Sequence, residues 1–127
     1  MAGRVVHFEV PYDDVDRVAD FYREVFGWHV QPVPEFQYHV VTTGPVTDEG
    51  MPAEVGFVNG GMFARQPHVA QPVITIDVDD IDATLAEIEA RGGSVVEPRM
   101  QVGQMGFAAY FTDCEGNLLG LWQSADG

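Results

Sequence analysis

The stretch Arg4–Trp28, RVVHFEVPYDDVDRVADFYREVFGW, determines how the rest of the chain is interpreted. Its apolar strand, acidic turn, amphipathic helix and closing glycine recur in the same order 66 residues later, where Asp79-Asp80-Ile81-Asp82 aligns with Asp13-Asp14-Val15-Asp16. Self-similarity at a fixed spacing indicates a repeated supersecondary unit. Two copies imply an internal pseudo-two-fold, so a functional site is expected where the copies face each other.

Composition narrows the class of protein. The chain has 127 residues and is 46% hydrophobic, which suits one domain, or two half-domains that share a core. No apolar run approaches the roughly 20 residues of a membrane span, and the N-terminus lacks the layout of a signal peptide. A cytoplasmic protein is therefore predicted. Its single cysteine, Cys114, cannot form an intrachain disulfide.

The charge excludes two kinds of partner. The net charge is −14, and the sequence contains six arginines and no lysine. Nucleic acids and anionic membrane surfaces are bound through clustered positive charge, so neither is expected as a partner. A small molecule is the expected ligand.

Periodicity predicts an α+β fold in which each half is β-α-β-β-β. A single domain of two modules is predicted, with a first module at 4–63, a linker at 64–71 and a second module at 72–124. The first module's strands are predicted at Arg4–Val10, Trp28–Val33, Phe36–Thr43 and Glu54–Phe63, and its helix at Asp14–Phe26. The second module's strands are predicted at Gln71–Val78, Ser94–Val102, Met105–Thr112 and Leu118–Gln123, and its helix at Asp80–Arg91.

Three segments carry a family resemblance. HFEVP followed by DDVDRVADFYREVFGW, then VDDIDATLAEIEARGG, and finally FTDCEGNLLGLWQ together resemble the vicinal oxygen chelate superfamily. That superfamily includes glyoxalase I, extradiol dioxygenases, fosfomycin-resistance enzymes and bleomycin-resistance proteins. The resemblance implies two β-α-β-β-β modules whose curved mixed sheets surround a cleft, and a homodimer.

The resemblance also implies where a metal would be held, on the first and last strands of each module. His7 matches the first of these positions, whereas Val73 and Gly120 match two others and supply no ligand atom. The fourth position is either Glu54 or Gly60, depending on the alignment. His7 and Glu54 are thus the candidate ligands for a divalent Zn, Fe, Ni or Mn, and a site without a resident metal is favoured.

Strand alternation places His7 and Glu9 on one face, and these two are the candidate catalytic residues. Small or aromatic side chains are predicted to complete a ligand-binding wall. The candidates are Thr75, Gly120, Trp122, Met62, Phe107 and Tyr38.

Two functions remain open. One is a binding protein of the bleomycin-resistance type, which holds a small apolar or cationic molecule in the cleft between the modules without a tightly bound metal. The alternative is a superfamily enzyme, a lyase, isomerase or dioxygenase, that uses His7 or Glu9 as acid or base, with or without a divalent metal.

Overall fold

A computed structural model describes residues 3–34 and 37–125 of the chain. These residues form two compact units. The first unit is His7–Pro72, and the second contains the described residues from Val73 onward together with those up to Val6. The predicted module bounds, 4–63 and 72–124, stay a prediction.

The first unit contains a helix on one face of a four-stranded sheet. The elements are β1 (Val5–Tyr12, of which His7–Tyr12 lie in this unit), α1 (Val15–Phe26), β2 (His29–Val33), β3 (Tyr38–Thr42) and β4 (Gly60–Ala64). The strand order is β2-β3-β4-β1, with β1 parallel to β4 and the other neighbouring pairs antiparallel.

The second unit repeats this plan. The elements are β5 (Val73–Asp77), α2 (Ile81–Ala90), β6 (Ser94–Val102), β7 (Gly106–Thr112) and β8 (Leu118–Ser124). The strand order is β6-β7-β8-β5, with β5 parallel to β8 and the remaining pairs antiparallel. The predicted α+β class, with mixed sheets built from two β-α-β-β-β repeats, is confirmed.

The acidic turns start both helices. The carboxylate of Asp14 accepts a hydrogen bond from the backbone N–H of Arg17, and Asp80 does the same for Ala83. Each aspartate therefore caps an N–H group that lacks a partner within its helix. Helix α1 ends at Gly27, whose φ of 72° is a left-handed conformation that glycine adopts without steric cost. Neither helix is long and apolar enough to cross a membrane.

Each helix covers an apolar core on one face of its own sheet. Full burial of a side chain such as Met62 or Ile81, both 0% exposed, contributes about 1.5–3 kcal/mol. The core under α1 consists of Ala19, Val30, Val41 and Met62. The core under α2 consists of Ile81, Leu85, Ala109, Phe111 and Leu121.

The predicted strand bounds differ from those in the structure by two residues or fewer, except at the start of β4. Strand β4 begins at Gly60 rather than at Glu54, because the backbone at Gly56 turns to a φ of 106°, outside the extended region. Strand β3 begins at Tyr38, and Phe36, where it was predicted to start, lies outside the described residues.

Candidate functional site

The sheet of the first unit has one face that α1 covers and one that it leaves uncovered. Phe8 and Val10 of β1 pack into the core under α1. Because side chains alternate along a strand, His7 and Glu9 lie on the uncovered face. This is the shared face that the sequence predicted for them.

Tyr38 joins these two residues. Its hydroxyl oxygen lies 2.8 Å from Nε2 of His7 and donates a hydrogen bond of 2.7 Å to Oε2 of Glu9. The imidazole and phenol rings are nearly parallel, with an interplanar angle of 18°. His7, Tyr38 and Glu9 are called the polar cluster below.

The bonding pattern of the polar cluster fixes the tautomer of its histidine. The phenol has one proton, which it donates to Glu9, so Nε2 of His7 must carry the proton of the second hydrogen bond. The neutral imidazole then presents the lone pair of Nδ1. That atom makes no hydrogen bond to the described residues, and it is not one of their buried unpartnered nitrogens. It is therefore an acceptor available to a ligand.

Burial keeps the imidazole neutral. Desolvation lowers the pKa of His7 below its usual 6.5, and the nearby negative charge of Glu9 opposes that shift more weakly. Glu9 itself is only 8% exposed. Burying a carboxylate is costly unless it is hydrogen-bonded, and the phenol of Tyr38 supplies such a bond.

Gly61 makes room for the phenol. In the pairing of β1 with β4, Gly61 lies opposite Glu9. A Cβ atom at Gly61 would overlap the hydroxyl oxygen and ring of Tyr38. Tyr38 can therefore reach the other two members of the polar cluster only because position 61 has no side chain.

Three of the predicted ligand contacts lie on the uncovered face of the second unit's sheet. Thr75 is opposite Gly120, and an added Cβ on that glycine would be 2.9 Å from the threonine Oγ1. Thr75 is 7% exposed, whereas Trp122 is partly exposed and its ring lies over Gly106. Their ligand-binding role stays a prediction.

Met62 and Phe107 correct the predicted wall. Met62 is 0% exposed in the core under α1, and Phe107 packs against the core under α2. The ring of Phe107 is also covered by the guanidinium of Arg99, 4.7 Å from its centroid. Both side chains therefore point to the helix side of their sheets and not to the uncovered faces.

The two candidate metal ligands, His7 and Glu54, lie in different surroundings. His7 belongs to the polar cluster, whereas Glu54 lies on the exposed loop before β4. The described residues contain no group of three or more His, Cys, Asp or Glu side chains that could hold a metal ion. A divalent first-row metal takes three or four protein ligands, so these residues do not fit one.

Sequence reasoning missed the role of Gly61 and misjudged that of Tyr38. It proposed Glu54 or Gly60 as the fourth ligand position, but the residue opposite Glu9 is Gly61. The offset of 66 residues maps Glu9 onto Thr75, and Thr75 pairs with Gly120 as Glu9 pairs with Gly61, so the two glycines hold equivalent register positions that only the strand pairing shows. Tyr38 was predicted as part of an apolar wall, and it is the hydrogen-bonding centre of the polar cluster.

The fold and the site together define an α+β protein of two β-α-β-β-β repeats with a histidine–tyrosine–glutamate cluster on an uncovered sheet face. Residues 4–121 match the family model of the Glyoxalase/Bleomycin resistance protein/Dioxygenase superfamily. The chain belongs to this superfamily, which confirms the resemblance seen in its sequence.

Similar proteins support the same assignment. A probable lactoylglutathione lyase of Vibrio parahaemolyticus is 31% identical over 127 residues, which cover 96% of this chain and 91% of that protein. A putative glyoxylase of Mycobacterium bovis is 30% identical over 87% of this chain, but the match spans only 42% of that longer protein.

A solved structure shares the fold. Streptomyces coelicolor methylmalonyl-CoA epimerase, in complex with 2-nitronate-propionyl-CoA, superposes with a TM-score of 0.67 and 23% identity, covering 98% of this chain and 99% of that one. At this identity the likeness establishes the fold alone.

Proposed function

We propose that the protein binds a small apolar or cationic molecule at the polar cluster, without a tightly held metal. The observation that carries this proposal is the hydroxyl of Tyr38, which bridges His7 and Glu9. The bridge engages the one histidine that matches a superfamily metal position in a hydrogen bond through Nε2. It leaves Nδ1 as an acceptor for a ligand that donates a hydrogen bond.

The surroundings favour a ligand with an apolar body and a donor or positive group. Val40 lies opposite Gly61 and Phe63 lies opposite Tyr38, so both share the uncovered face with the polar cluster. They supply apolar contact area beside the polar groups, which is typical of small-molecule sites. The net charge of −14 also attracts a cation to the protein.

The donor set opposes a resident metal. The resemblance places the other metal positions at Val73, at Gly120 and at either Glu54 or Gly60. Val73 and the glycines have no side-chain ligand atom, and Glu54 lies on the exposed loop before β4. Glu9 adds one carboxylate, which brings the donors on this face of β1 to two. Two protein ligands hold a divalent ion weakly against water.

An enzyme is the second candidate function. A proton taken up at Nδ1 of His7 would create an imidazolium whose charge Glu9 offsets through the phenol of Tyr38. Such support is how a histidine is made an effective general base. The names of the similar proteins, a lactoylglutathione lyase and an epimerase, supply the first substrates to try.

The proposed protein partner is a second copy of the chain. We propose a homodimer, because superfamily proteins commonly pair and because α1 leaves Phe21, Val25 and Phe26 more than half exposed. The predicted cytoplasmic location stays a prediction.

A ligand screen tests the proposal. Thermal-shift measurements on a panel of cationic and neutral aromatic compounds should identify stabilising ligands, and titration calorimetry should then compare the wild type with His7→Ala. His68→Ala is the matched control, because His68 is exposed and outside the polar cluster.

We expect His7→Ala to weaken binding and His68→Ala to leave it unchanged. Equal affinities for all three proteins would refute the assignment of the site. Turnover of lactoylglutathione or methylmalonyl-CoA by the wild type, lost in His7→Ala, would replace the binding function with the enzymatic one.

A further inference from the structure

The hydroxyl oxygen of Tyr38 fills the gap in which a cation would be held. It lies 2.8 Å from His7 Nε2 and 2.7 Å from Glu9 Oε2. Protein nitrogen and carboxylate oxygen bind a divalent metal at roughly 2.0–2.2 Å. An ion shared by these two atoms would therefore have to occupy the space between them that the phenol oxygen now fills.

The same phenol excludes a third ligand. Gly61 is opposite Glu9, so its side-chain direction is toward the face that carries the polar cluster. Any Cβ there would overlap the hydroxyl and ring of Tyr38. The tyrosine and a side chain at position 61 are thus mutually exclusive.

We propose that Tyr38 and Gly61 form an interlocked pair that commits the site to hydrogen-bonding ligands by excluding divalent cations. The hydroxyl of Tyr38 occupies the position that a cation would need, and the absence of a side chain at Gly61 leaves space for the tyrosine ring. The inference deepens the proposed metal-free function and rests on it. It makes Tyr38 a specificity-determining residue, because the phenol determines whether His7 and Glu9 form hydrogen bonds or coordinate a metal ion.

Reversing the pair should create a metal site. Tyr38→Ala opens the gap between His7 and Glu9, and Gly61→Glu adds a carboxylate opposite Glu9. The combined variant then has one imidazole and two carboxylates on a single sheet face, a donor set suited to Zn²⁺ or Co²⁺.

Titration calorimetry with Zn²⁺, supported by the visible absorption of Co²⁺, tests this reversal. Loss of a residue that only hydrogen-bonds to a metal ligand costs about 10- to 100-fold in metal affinity. Adding a direct ligand should therefore raise the affinity of the double variant about 100-fold or more over the wild type. A triple variant that adds His7→Ala is the matched control and should lose the gain. Wild-type binding as tight as that of the double variant, or no gain in a double variant with native circular dichroism, would overturn the proposal.

A stability cycle tests the interlock without metal. Gly61→Ala should lower the melting temperature strongly in the wild type, because the new methyl group displaces the Tyr38 ring from its hydrogen bonds. In the Tyr38→Ala background the same substitution should cost far less. An equal cost in both backgrounds would overturn the interlock, even if the metal-binding variant fails to fold.

These outcomes are separable from those of the ligand screen. Failure of the wild type to bind any small molecule would defeat the proposed function but would leave the interlock and the metal gain in place. A wild type that binds a ligand through His7 and also tolerates Gly61→Ala would support the function and defeat the interlock.

Discussion

Removing one oxygen atom from Tyr38 isolates the contribution of the bridge. Tyr38→Phe keeps the ring over Gly61 and deletes both hydrogen bonds of the polar cluster. His7 Nε2 and Glu9 Oε2 then both lose the hydroxyl group to which each was hydrogen-bonded. The variant therefore measures the bridge and not the packing of the ring.

The expected loss follows from the two bonds. The bond to Glu9 involves a carboxylate and contributes about 1.5–3 kcal/mol, whereas the bond from His7 contributes about 0.5–1.5 kcal/mol. Glu9 is 8% exposed, so water only partly replaces the lost phenol. We expect Tyr38→Phe to lower the free energy of unfolding by about 2–4 kcal/mol.

Urea denaturation measures this loss directly. With a slope of about 2 kcal/mol per molar urea, the midpoint should fall by about 1–2 M. Tyr12→Phe is the matched control, because the hydroxyl of Tyr12 makes no hydrogen bond to the described residues and its ring packs edge-on against His39. If Tyr38→Phe were as stable as Tyr12→Phe, the bridge would not stabilise the fold and the account of the polar cluster would be wrong.

Three further predictions follow from the same structure. Burial lowers the pKa of His7, so the unfolded chain binds a proton at this position more readily than the folded chain does. The free energy of unfolding should therefore fall as the pH drops from 6.5 through the lowered pKa. Denaturation of His7→Gln over the same pH range should lack the part of this slope that His7 contributes. Asp14→Ala and Asp80→Ala should each cost about 1 kcal/mol in thermal unfolding, since each removes the carboxylate cap of a helix; an unchanged melting temperature would contradict the cap assignment. Light scattering at micromolar concentration should give twice the chain mass of 13.9 kDa, and a monomer mass would refute the homodimer.

Local features of the fold were predictable from the sequence because they depend on nearby residues. The helix starts follow from Asp14 and Asp80, whose carboxylates cap the next turn, and the end of α1 follows from Gly27. The shared face of His7 and Glu9 follows from strand alternation alone. The repeat then extended these local assignments to the whole topology.

Contacts between strands were less predictable, because the alternation of apolar and polar residues along a strand determines neither the length of the loops nor the pairing register. The loop after β3 shifts β4 to Gly60, so neither a constant offset nor a glycine alignment found Gly61 opposite Glu9. Phe107 lies four residues before the core residue Phe111 on β7, so the two side chains share a face of the sheet. Strand alternation would therefore have placed Phe107 under α2.

The bridge through Tyr38 was the least predictable feature of the site. It joins β3 to β1 across β4, and it depends on an absent side chain at Gly61. A sequence shows that glycine is present but not which neighbour fills the space above it. For that reason the tyrosine was assigned to an apolar wall rather than to a hydrogen bond.

The metal content of the purified protein tests the central claim most directly. The wild type and His7→Ala are purified without chelator, and their Zn, Fe, Ni and Mn contents are measured by elemental analysis. A site in which Tyr38 holds His7 and Glu9 together predicts no stoichiometric metal in either protein. One equivalent of any of these metals per wild-type chain, absent from His7→Ala, would contradict it.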